Sequence, residues 1–195
     1  EMLLLEIEHR VKNNFATVAS MLRLQIRETQ SSETTLELQA ALGRVESFAR
    51  ANTSLYRNFF HTGTIDMGVY LRELCGSLQA SFGLDNEIRF HCEAASVQLP
   101  RDRAILIGLL VNEVANNSVK HAFDDQAQGQ ISVRFDEQAN DFCLSVSDDG
   151  RGMKDGTRDG ALGMTLLDAL ATQANGTVEI ESSSSGTRFT FALEK

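Results

Sequence analysis

Residues 105–123, ILIGLLVNEVANNSVKHAF, carry side chains suited to holding a metal ion and phosphate groups. Apolar residues at helical spacing, with the small Ser118 among them, predict a helix with one buried face. Glu113, Asn117 and Lys120 share another side of that helix, because they follow one another by four and three residues. A carboxylate, a carboxamide and an ammonium in one row could bind Mg²⁺ and phosphate oxygens, although a solvated helix face is the ordinary interpretation. Further polar side chains widen the row: Asn112, Asn116 and His121.

A second group of chemically distinctive residues follows a predicted strand at residues 141–147. Asp148 precedes Gly150 and Gly152, so a flat ligand could approach the backbone there. The carboxylate could accept a hydrogen bond from an exocyclic amino group, which is the feature that separates adenine from guanine. The same residues suit an ordinary turn, and this pattern taken alone favours the turn.

Two further loops could contribute to a ligand site. Residues 160–163, Gly-Ala-Leu-Gly, open a predicted helix, where free backbone N–H groups favour phosphate; the alternative is a plain helix start. The polar segment 154–159 is suited to a mobile cover over a ligand. Gly186 and Thr187 open the last predicted strand, where Thr187 offers a hydroxyl group.

The segment EHRVKNN, residues 8–14, is the most unusual local feature near the N-terminus. It lies within a helix predicted over residues 1 to about 29. His9, Lys12 and Asn13 share one face of that helix, mostly off its apolar stripe. An exposed histidine is usually only a surface residue, so His9 alone indicates no special role.

The composition limits the class of protein. The 195 residues are 42% hydrophobic and 23% charged, which is typical of one large or two small globular domains. The net charge of −9 argues against nucleic acid as the main partner. No apolar run predicts membrane contact, and no signal peptide is recognisable, so we expect a cytoplasmic fragment whose parent protein could be membrane-attached through a preceding region. The three cysteines lack metal-ligand spacing and indicate reduced thiols.

Two long helical patterns predict an antiparallel hairpin over residues 1–61. The second helix is expected to start at a capping box formed by Thr34 and Glu37. Because a lone hairpin cannot bury two apolar stripes, we expect it to pair with a second copy into a four-helix bundle.

Residues 62–195 mix helical and strand patterns, which predicts an α+β domain with a mixed sheet covered by helices on one face. The predicted elements are, in order, a helix capped by Asp66 and ended by Gly83, a strand at 87–93, a helix from Asp102, a hairpin of strands at 130–137 and 141–149, a helix at 163–174, and two final strands.

Taken together, these motifs resemble a known family. The asparagine-bearing helix, Asp-x-Gly-x-Gly, the Gly-x-Leu-Gly helix start and the final Gly-Thr-x-Phe are similar to the ATP-binding domain of the GHKL superfamily: gyrase, heat-shock chaperone, histidine kinase and MutL. The segment EIEHRVKNN resembles the phosphoacceptor box of HisKA_2-type two-component sensor histidine kinases, which are relatives of the HWE group. The resemblance covers essentially the whole chain. It implies a dimerisation and phosphotransfer hairpin, residues 1–61, followed by a catalytic ATP-binding domain of the Bergerat type, residues 62–195.

The resemblance implies a role for each matching residue. His9 would be the phosphorylated residue, and Asp148 would bind the adenine amino group. The residues implied to ligate Mg²⁺ or to meet the phosphates lie on the helix at 105–123: Glu113 and Asn117 for the metal, with Asn112, Lys120 and His121 beside them. The other residues implied to bind the nucleotide lie in the loops: Gly150 and Gly152 line the base pocket, and Gly160, Leu162 and Gly163 border the phosphates. Thr187 would support the hydrogen-bond network of Asp148.

The chain departs from the family pattern at three places. Glu8 stands where many members carry a second histidine, and Asp149 replaces the more usual asparagine. The tryptophan of the HWE group is absent, which favours the HisKA_2 type. Arg10 occupies a position where many histidine kinases have an acid, so the group that orients His9 stays open.

The implied function is a sensor histidine kinase core that phosphorylates His9 from ATP and passes the phosphoryl group to an aspartate of a response-regulator receiver domain. Asn13, one turn after His9, could orient water against a phosphoaspartate, so a mainly phosphatase role stays open. A non-catalytic docking scaffold for a receiver-domain partner is another alternative, although Asn117 and Asp148 would then be unnecessary. A clamp-like ATPase would use Glu113 to activate water.

Overall fold

The chain divides into two compact units, Glu1–His61 and Thr62–Lys195. The computed structural model describes residues 16–29, 31, 34–35, 38–39, 41–43, 45, 63–82, 87–123, 128–153 and 162–195. Among these residues, no helix combines the length and the hydropathy that crossing a membrane requires.

The described part of the N-terminal unit is helical, as predicted. Residues 16–28 form one helix, and the described positions from 34 to 45 belong to a second helical segment. Ser31 caps that segment, because its Oγ accepts a hydrogen bond from the backbone N–H of Thr34 at 3.3 Å. The predicted cap at Thr34 was therefore wrong: Thr34 already lies inside the helix, and a hydroxyl residue three positions earlier takes the capping role.

An apolar row runs along the helix at residues 16–28. Val18, Met21 and Leu24 are 44%, 62% and 54% exposed, whereas Ala19 is only 5% exposed. Residues three positions apart lie on the same side of a helix. The single chain therefore leaves one apolar helix face uncovered.

The described elements of the C-terminal unit follow the predicted order, with two short strands added. They are β1 (Thr64–Asp66), α1 (Met67–Phe82), β2 (Glu87–Ala94), β3 (Gln98–Pro100), α2 (Arg101–His121), β4 (Gln128–Glu137), β5 (Asp141–Asp148), α3 (Leu162–Gln173), β6 (Gly176–Ser183) and β7 (Gly186–Glu194). The extra strands β1 and β3 pair antiparallel as a separate two-stranded sheet.

The main sheet has the strand order β2-β4-β5-β7-β6. β2 and β4 run parallel, whereas the other neighbouring pairs run antiparallel. The parallel pair requires a long crossover connection, which contains α2. The predicted mixed sheet is thus confirmed.

One face of the main sheet is buried. Along β4, Ile131, Val133 and Phe135 are at most 1% exposed, while Arg134 between them points to solvent. The same alternation continues along β5 and β7, because successive strand residues face opposite sides. α1 packs against β2, α2 against β5, and α3 against β6, so helices cover the buried face as predicted.

The start of α1 confirms the predicted cap. Oδ1 of Asp66 accepts a hydrogen bond from the backbone N–H of Val69 at 2.9 Å, and Oδ2 accepts one from the hydroxyl of Ser96. The Ser96 hydrogen bond, followed by the Val69 one, holds the pKa of Asp66 below its usual range. α2 has no such cap: Pro100 precedes it without a side-chain hydrogen bond, and Asp102 lies in its first turn.

Candidate functional site

The carboxylate of Asp148, at the C-terminal end of β5, is the centre of the candidate site. Oδ1 accepts hydrogen bonds from the backbone N–H groups of Gly150 at 3.1 Å and Thr187 at 3.2 Å. Oδ2 accepts one from the hydroxyl of Ser118 at 2.7 Å. Three elements therefore fix one carboxylate: the loop after β5, the start of β7, and α2. Because each carboxylate oxygen can accept two hydrogen bonds, Oδ2 keeps capacity for a donor from a ligand.

The strand period explains why Asp148 faces inward. Phe142, Leu144 and Val146 precede it at alternate positions of β5, and all three are buried. Asp148 continues this side of the strand and is 9% exposed. A carboxylate on the buried face of a sheet needs hydrogen-bond donors from the layer that covers it, and Ser118 of α2 supplies one.

Both glycines after Asp148 are required by the packing of the loop itself. A Cβ at Gly150 would lie 2.5 Å from the carbonyl oxygen of Ala122, at the end of α2. Gly152 has φ +74°, and a Cβ there would lie 1.9 Å from the carbonyl oxygen of Ser183. Because both glycines lack a Cβ, the loop can pack closely against α2 and β6, a role that was not predicted from the sequence.

Thr187 contacts Asp148 through its backbone rather than its hydroxyl. The backbone N–H of Thr187 donates to Asp148, while its Oγ1 lies 3.1 Å from Oγ of Ser182. The same Ser182 oxygen accepts a hydrogen bond from the backbone N–H of Met153 at 2.7 Å. The hydroxyl of Thr187 therefore joins a small network that holds the loop after β5.

The polar row on α2 is largely buried. Asn112 and Glu113 are 3% and 4% exposed, Asn117 is partly buried, and Lys120 and His121 are exposed. The alternative of a solvated helix face is therefore wrong for the first part of the row. The buried carboxylate and carboxamides lie on the same helix as Ser118, the residue that donates to the Asp148 carboxylate.

Asn112 carries an unsatisfied acceptor. Its Oδ1 is buried and has no hydrogen-bond partner among the described residues, while its backbone carbonyl accepts from Nδ2 of Asn116 at 2.8 Å. An unpaired buried oxygen costs about 1–3 kcal/mol, so a ligand donor, a water or a cation would be favoured there. The side chains of Asn112, Glu113 and Asn117 supply oxygen ligands of the kind that Mg²⁺ takes in proteins. The residues present therefore fit a nucleotide with its metal ion.

Some predicted site residues fall outside the described part of the chain. His9, Asn13, Gly160 and the cover segment 154–159 belong to this group. Leu162 and Gly163 are described only as the first residues of α3, without their surroundings.

Two residues of the site were missed by sequence reasoning. Ser118 was predicted only to be a small residue on the buried face of the helix, and no role was predicted for Ser182. A hydroxyl group on an otherwise apolar helix face, directly after Asn117, is the signal that could have identified Ser118. No comparable signal marks Ser182, because its contacts depend on the pairing of β6 with β7.

Gly186 is a sensitive position beside the site. Its φ is +128°, and a Cβ there would lie 2.0 Å from the carbonyl oxygen of Asp148. We expect Gly186→Ala to lower the free energy of unfolding by about 3 kcal/mol, because it combines backbone strain with a clash.

Chemical denaturation of the full chain measures this effect. The matched control is Gly76→Ala, because Gly76 is exposed in the middle of α1 with nothing near its Cβ position. That change should raise the free energy of unfolding by about 0.5–1 kcal/mol. Equal stability of Gly186→Ala and the unchanged chain would contradict the described backbone.

The sheet, its helical layer and the buried carboxylate define an ATP-binding domain of the GHKL type. Two family models match the chain: HisKA_2, histidine kinase, over residues 6–82, and HATPase_c, the histidine kinase-, DNA gyrase B- and HSP90-like ATPase, over residues 102–195. The chain therefore joins a segment similar to the HisKA_2 histidine kinases to one similar to the HATPase_c ATPases, and the resemblance predicted from the motifs is confirmed.

Individual relatives agree with this assignment. The sensor histidine kinase PdtaS of Mycolicibacterium smegmatis is 31% identical over 171 residues, which are 86% of this chain and 34% of that protein. Blue-light-activated histidine kinase 2 of Erythrobacter litoralis is 29% identical over 195 residues, covering 94% of this chain and 54% of that protein. The chain thus spans between about a third and a half of the length of these relatives.

A solved structure has a similar fold. The histidine kinase domain of a blue-light-activated histidine kinase from Erythrobacter litoralis has a TM-score of 0.70 and 27% identity, and the match covers 97% of this chain and 92% of that chain.

Proposed function

We propose that this chain is the core of a cytoplasmic, ATP-dependent protein-histidine kinase. It transfers the γ-phosphoryl group of ATP to His9 and then to an aspartate of a response-regulator receiver domain. The observation that carries the proposal is the Asp148 carboxylate, held by Ser118, Gly150 and Thr187 with acceptor capacity left on Oδ2. The HisKA_2 match, which includes His9, supports the phosphoacceptor.

Asp148 selects adenine in this proposal. Oδ2 accepts a hydrogen bond from the exocyclic amino group of the base, while Oδ1 stays with its two backbone donors. Guanine presents a carbonyl oxygen at the same ring position, so two acceptors would face each other in a buried place. The loop glycines, Gly150 and Gly152, bring backbone rather than side chains beside the base.

The polar row on α2 serves the phosphate end of the nucleotide. Asn117 and Glu113 would hold Mg²⁺ through their oxygens, and the unsatisfied Oδ1 of Asn112 would offer a further oxygen on the same helix. Mg²⁺, when bound, neutralises negative charge on the phosphates. The residues proposed to meet the phosphates directly are Lys120, His121, Gly160, Leu162 and Gly163.

His9 is the nucleophile of the proposed reaction. An unperturbed imidazole has a pKa of about 6.5, so it is mostly neutral and nucleophilic at cytoplasmic pH. One of its ring nitrogens forms a bond to the γ-phosphorus, the bond from that phosphorus to the bridging oxygen breaks, and ADP leaves. Most of the rate enhancement in such a transfer comes from positioning and charge neutralisation.

The N-terminal unit would also provide the dimer contact. The uncovered row of Val18, Met21 and Leu24 supports pairing of two hairpins, because a partner helix would bury it. The division of the chain after His61 supports the boundary between a phosphotransfer hairpin, residues 1–61, and a catalytic domain, residues 62–195.

A phosphatase acting on the response regulator is the second candidate. Asn13, one helical turn past His9, has a side chain that could orient a water molecule against a phosphoaspartate. The nucleotide-binding features around Asp148 favour the kinase direction, since dephosphorylation by water consumes no ATP.

Calorimetric titration with ATP and with GTP, both with Mg²⁺, tests the proposed nucleotide site. The full chain should bind ATP, and GTP should bind about 5- to 150-fold more weakly, because burying an unpaired acceptor costs about 1–3 kcal/mol. Equal affinities for the two nucleotides would contradict the role of Asp148, and heat from neither would contradict the site.

A further inference from the structure

Helix α1 and strand β2 are held in a defined register. The side chain of Gln79 donates to the backbone carbonyl of Ile88 and accepts from the backbone N–H of Phe90, both at 2.7 Å. Nearer the start of the helix, Nη1 of Arg72 donates to the carbonyl of Ala94 at 3.4 Å. The helix therefore runs antiparallel to the strand, with its start beside the strand's end.

This register brings two cysteines together. Cys75 precedes Gln79 by one helical turn, and Cys92 follows Phe90 by two residues, on the same side of β2. The two side chains are neighbours that influence each other's pKa, and both thiols are free. Cys75 is 3% exposed, whereas Cys92 is partly exposed and accessible to a small oxidant.

The surroundings make Cys92 the more reactive of the pair. The hydrogen bond from the Cys75 thiol stabilises the Cys92 thiolate and lowers the pKa of Cys92 against the opposing effect of burial, and the charge of Arg72 also lowers this pKa. The same hydrogen bond, together with burial, raises the pKa of Cys75. Because the thiolate is the nucleophile in sulfur chemistry, Cys92 should react first and Cys75 second.

We propose that Cys75 and Cys92 form an oxidation site, which a peroxide converts into an intramolecular disulfide between α1 and β2. The Cys92 thiolate attacks one peroxide oxygen, the O–O bond breaks, and a sulfenic acid forms with release of hydroxide or water. The Cys75 sulfur then attacks the Cys92 sulfur, and the sulfenic oxygen leaves as water. For hydrogen peroxide, two thiols and one peroxide give one disulfide and two water molecules.

The disulfide would tie the first helix of the nucleotide-binding unit to the edge strand of its sheet. It would also close a loop through the connection between α1 and β2, which reduces the conformational freedom of the unfolded chain. A rise in the melting temperature on oxidation is therefore expected, and reduction should reverse it. The proposal does not depend on nucleotide binding, so its test is independent of the proposed kinase activity.

Mass spectrometry of the full chain after treatment with hydrogen peroxide tests the proposal. The sample is alkylated under denaturing conditions and digested, with Cys143 of β5 as the internal control. Burial raises the pKa of Cys143, so it should stay reduced and become alkylated while Cys75 and Cys92 appear in one linked peptide pair. A Cys143→Ser variant should show the same link.

Two variants distinguish the formation of sulfenic acid at Cys92 from the formation of the disulfide. Cys75→Ala should leave Cys92 as a sulfenic acid that dimedone traps, without a disulfide, and Cys92→Ala should abolish both products. The proposal is overturned if Cys75 and Cys92 are both fully alkylated at a peroxide concentration that oxidises Cys143. It is equally overturned if the unchanged chain yields sulfenic acid at Cys92 but no linked peptide.

Discussion

Replacing Asp148 with asparagine should lower the affinity for ATP by about 10²-fold or more, because hydrogen bonds to a charged acceptor contribute about 1.5–3 kcal/mol each. The carboxylate accepts from Gly150, Thr187 and Ser118, and each donor needs an oxygen opposite it. An asparagine presents one oxygen and one NH₂ group. Either the backbone donors or Ser118 and the adenine amino group would then face another donor.

Calorimetric titration of the variant with Mg²⁺–ATP measures this loss, and the neighbouring residue provides a matched control. Asp149 is exposed, and its Oδ1 accepts from the backbone N–H of Gln130 at 2.7 Å, away from the Asp148 carboxylate. Asp149→Asn should bind ATP with almost unchanged affinity. Ser118→Ala, which removes one neutral donor, should weaken binding by about tenfold. If Asp148→Asn and Asp149→Asn bound ATP equally well, the proposed adenine contact would be wrong.

Asn117→Ala should reduce the rate of phosphorylation by about 10²-fold, because a metal ion that neutralises phosphate charge contributes several kcal/mol to transition-state stabilisation. Asn117 precedes Ser118, whose hydroxyl donates to Asp148, so α2 carries both the proposed metal ligand and a contact of the proposed base-binding carboxylate. Loss of the carboxamide would remove the proposed Mg²⁺ ligand but leave the proposed adenine contact in place.

Measuring the affinity for ATP once in Mg²⁺ and once in a chelator distinguishes a metal-binding role of Asn117 from a purely structural one. For the unchanged chain, the chelator should weaken binding. Asn117→Ala should bind ATP equally weakly with Mg²⁺ and with the chelator, at the affinity that the unchanged chain has with the chelator. A variant that still binds ATP more tightly with Mg²⁺, by the same factor as the unchanged chain, would show that Asn117 is not a metal ligand.

Much of the fold follows from periodicity that is visible in the sequence. β4 and β5 alternate apolar and polar residues over many positions. In α2, apolar residues recur at helical spacing along most of the element, which predicts a helix. The strands β1 and β3 were missed because each has only three residues, too few to display a period of two. Their pairing is decided by contact with each other rather than by local pattern.

The site was predictable in its residue types but not in its contacts. Asp148 and Thr187 could be proposed from the glycines around them, whereas the hydrogen bond between Ser118 and Asp148 joins residues thirty positions apart. Such a bond depends on how α2 packs on β5, which no local sequence pattern specifies. The burial of Glu113 likewise follows from the layer above the sheet, since charged residues at helical spacing usually face water.

The most direct test of the account is transfer of label from γ-labelled ATP with Mg²⁺, comparing the unchanged chain with His9→Ala and Asp148→Asn. The account predicts an acid-labile, base-stable label on the unchanged chain, as a phosphorylated imidazole gives, and none on either variant, with His9→Ala still binding ATP. Label that persists in His9→Ala, or that withstands acid, would contradict the transfer of phosphate from this nucleotide site to His9.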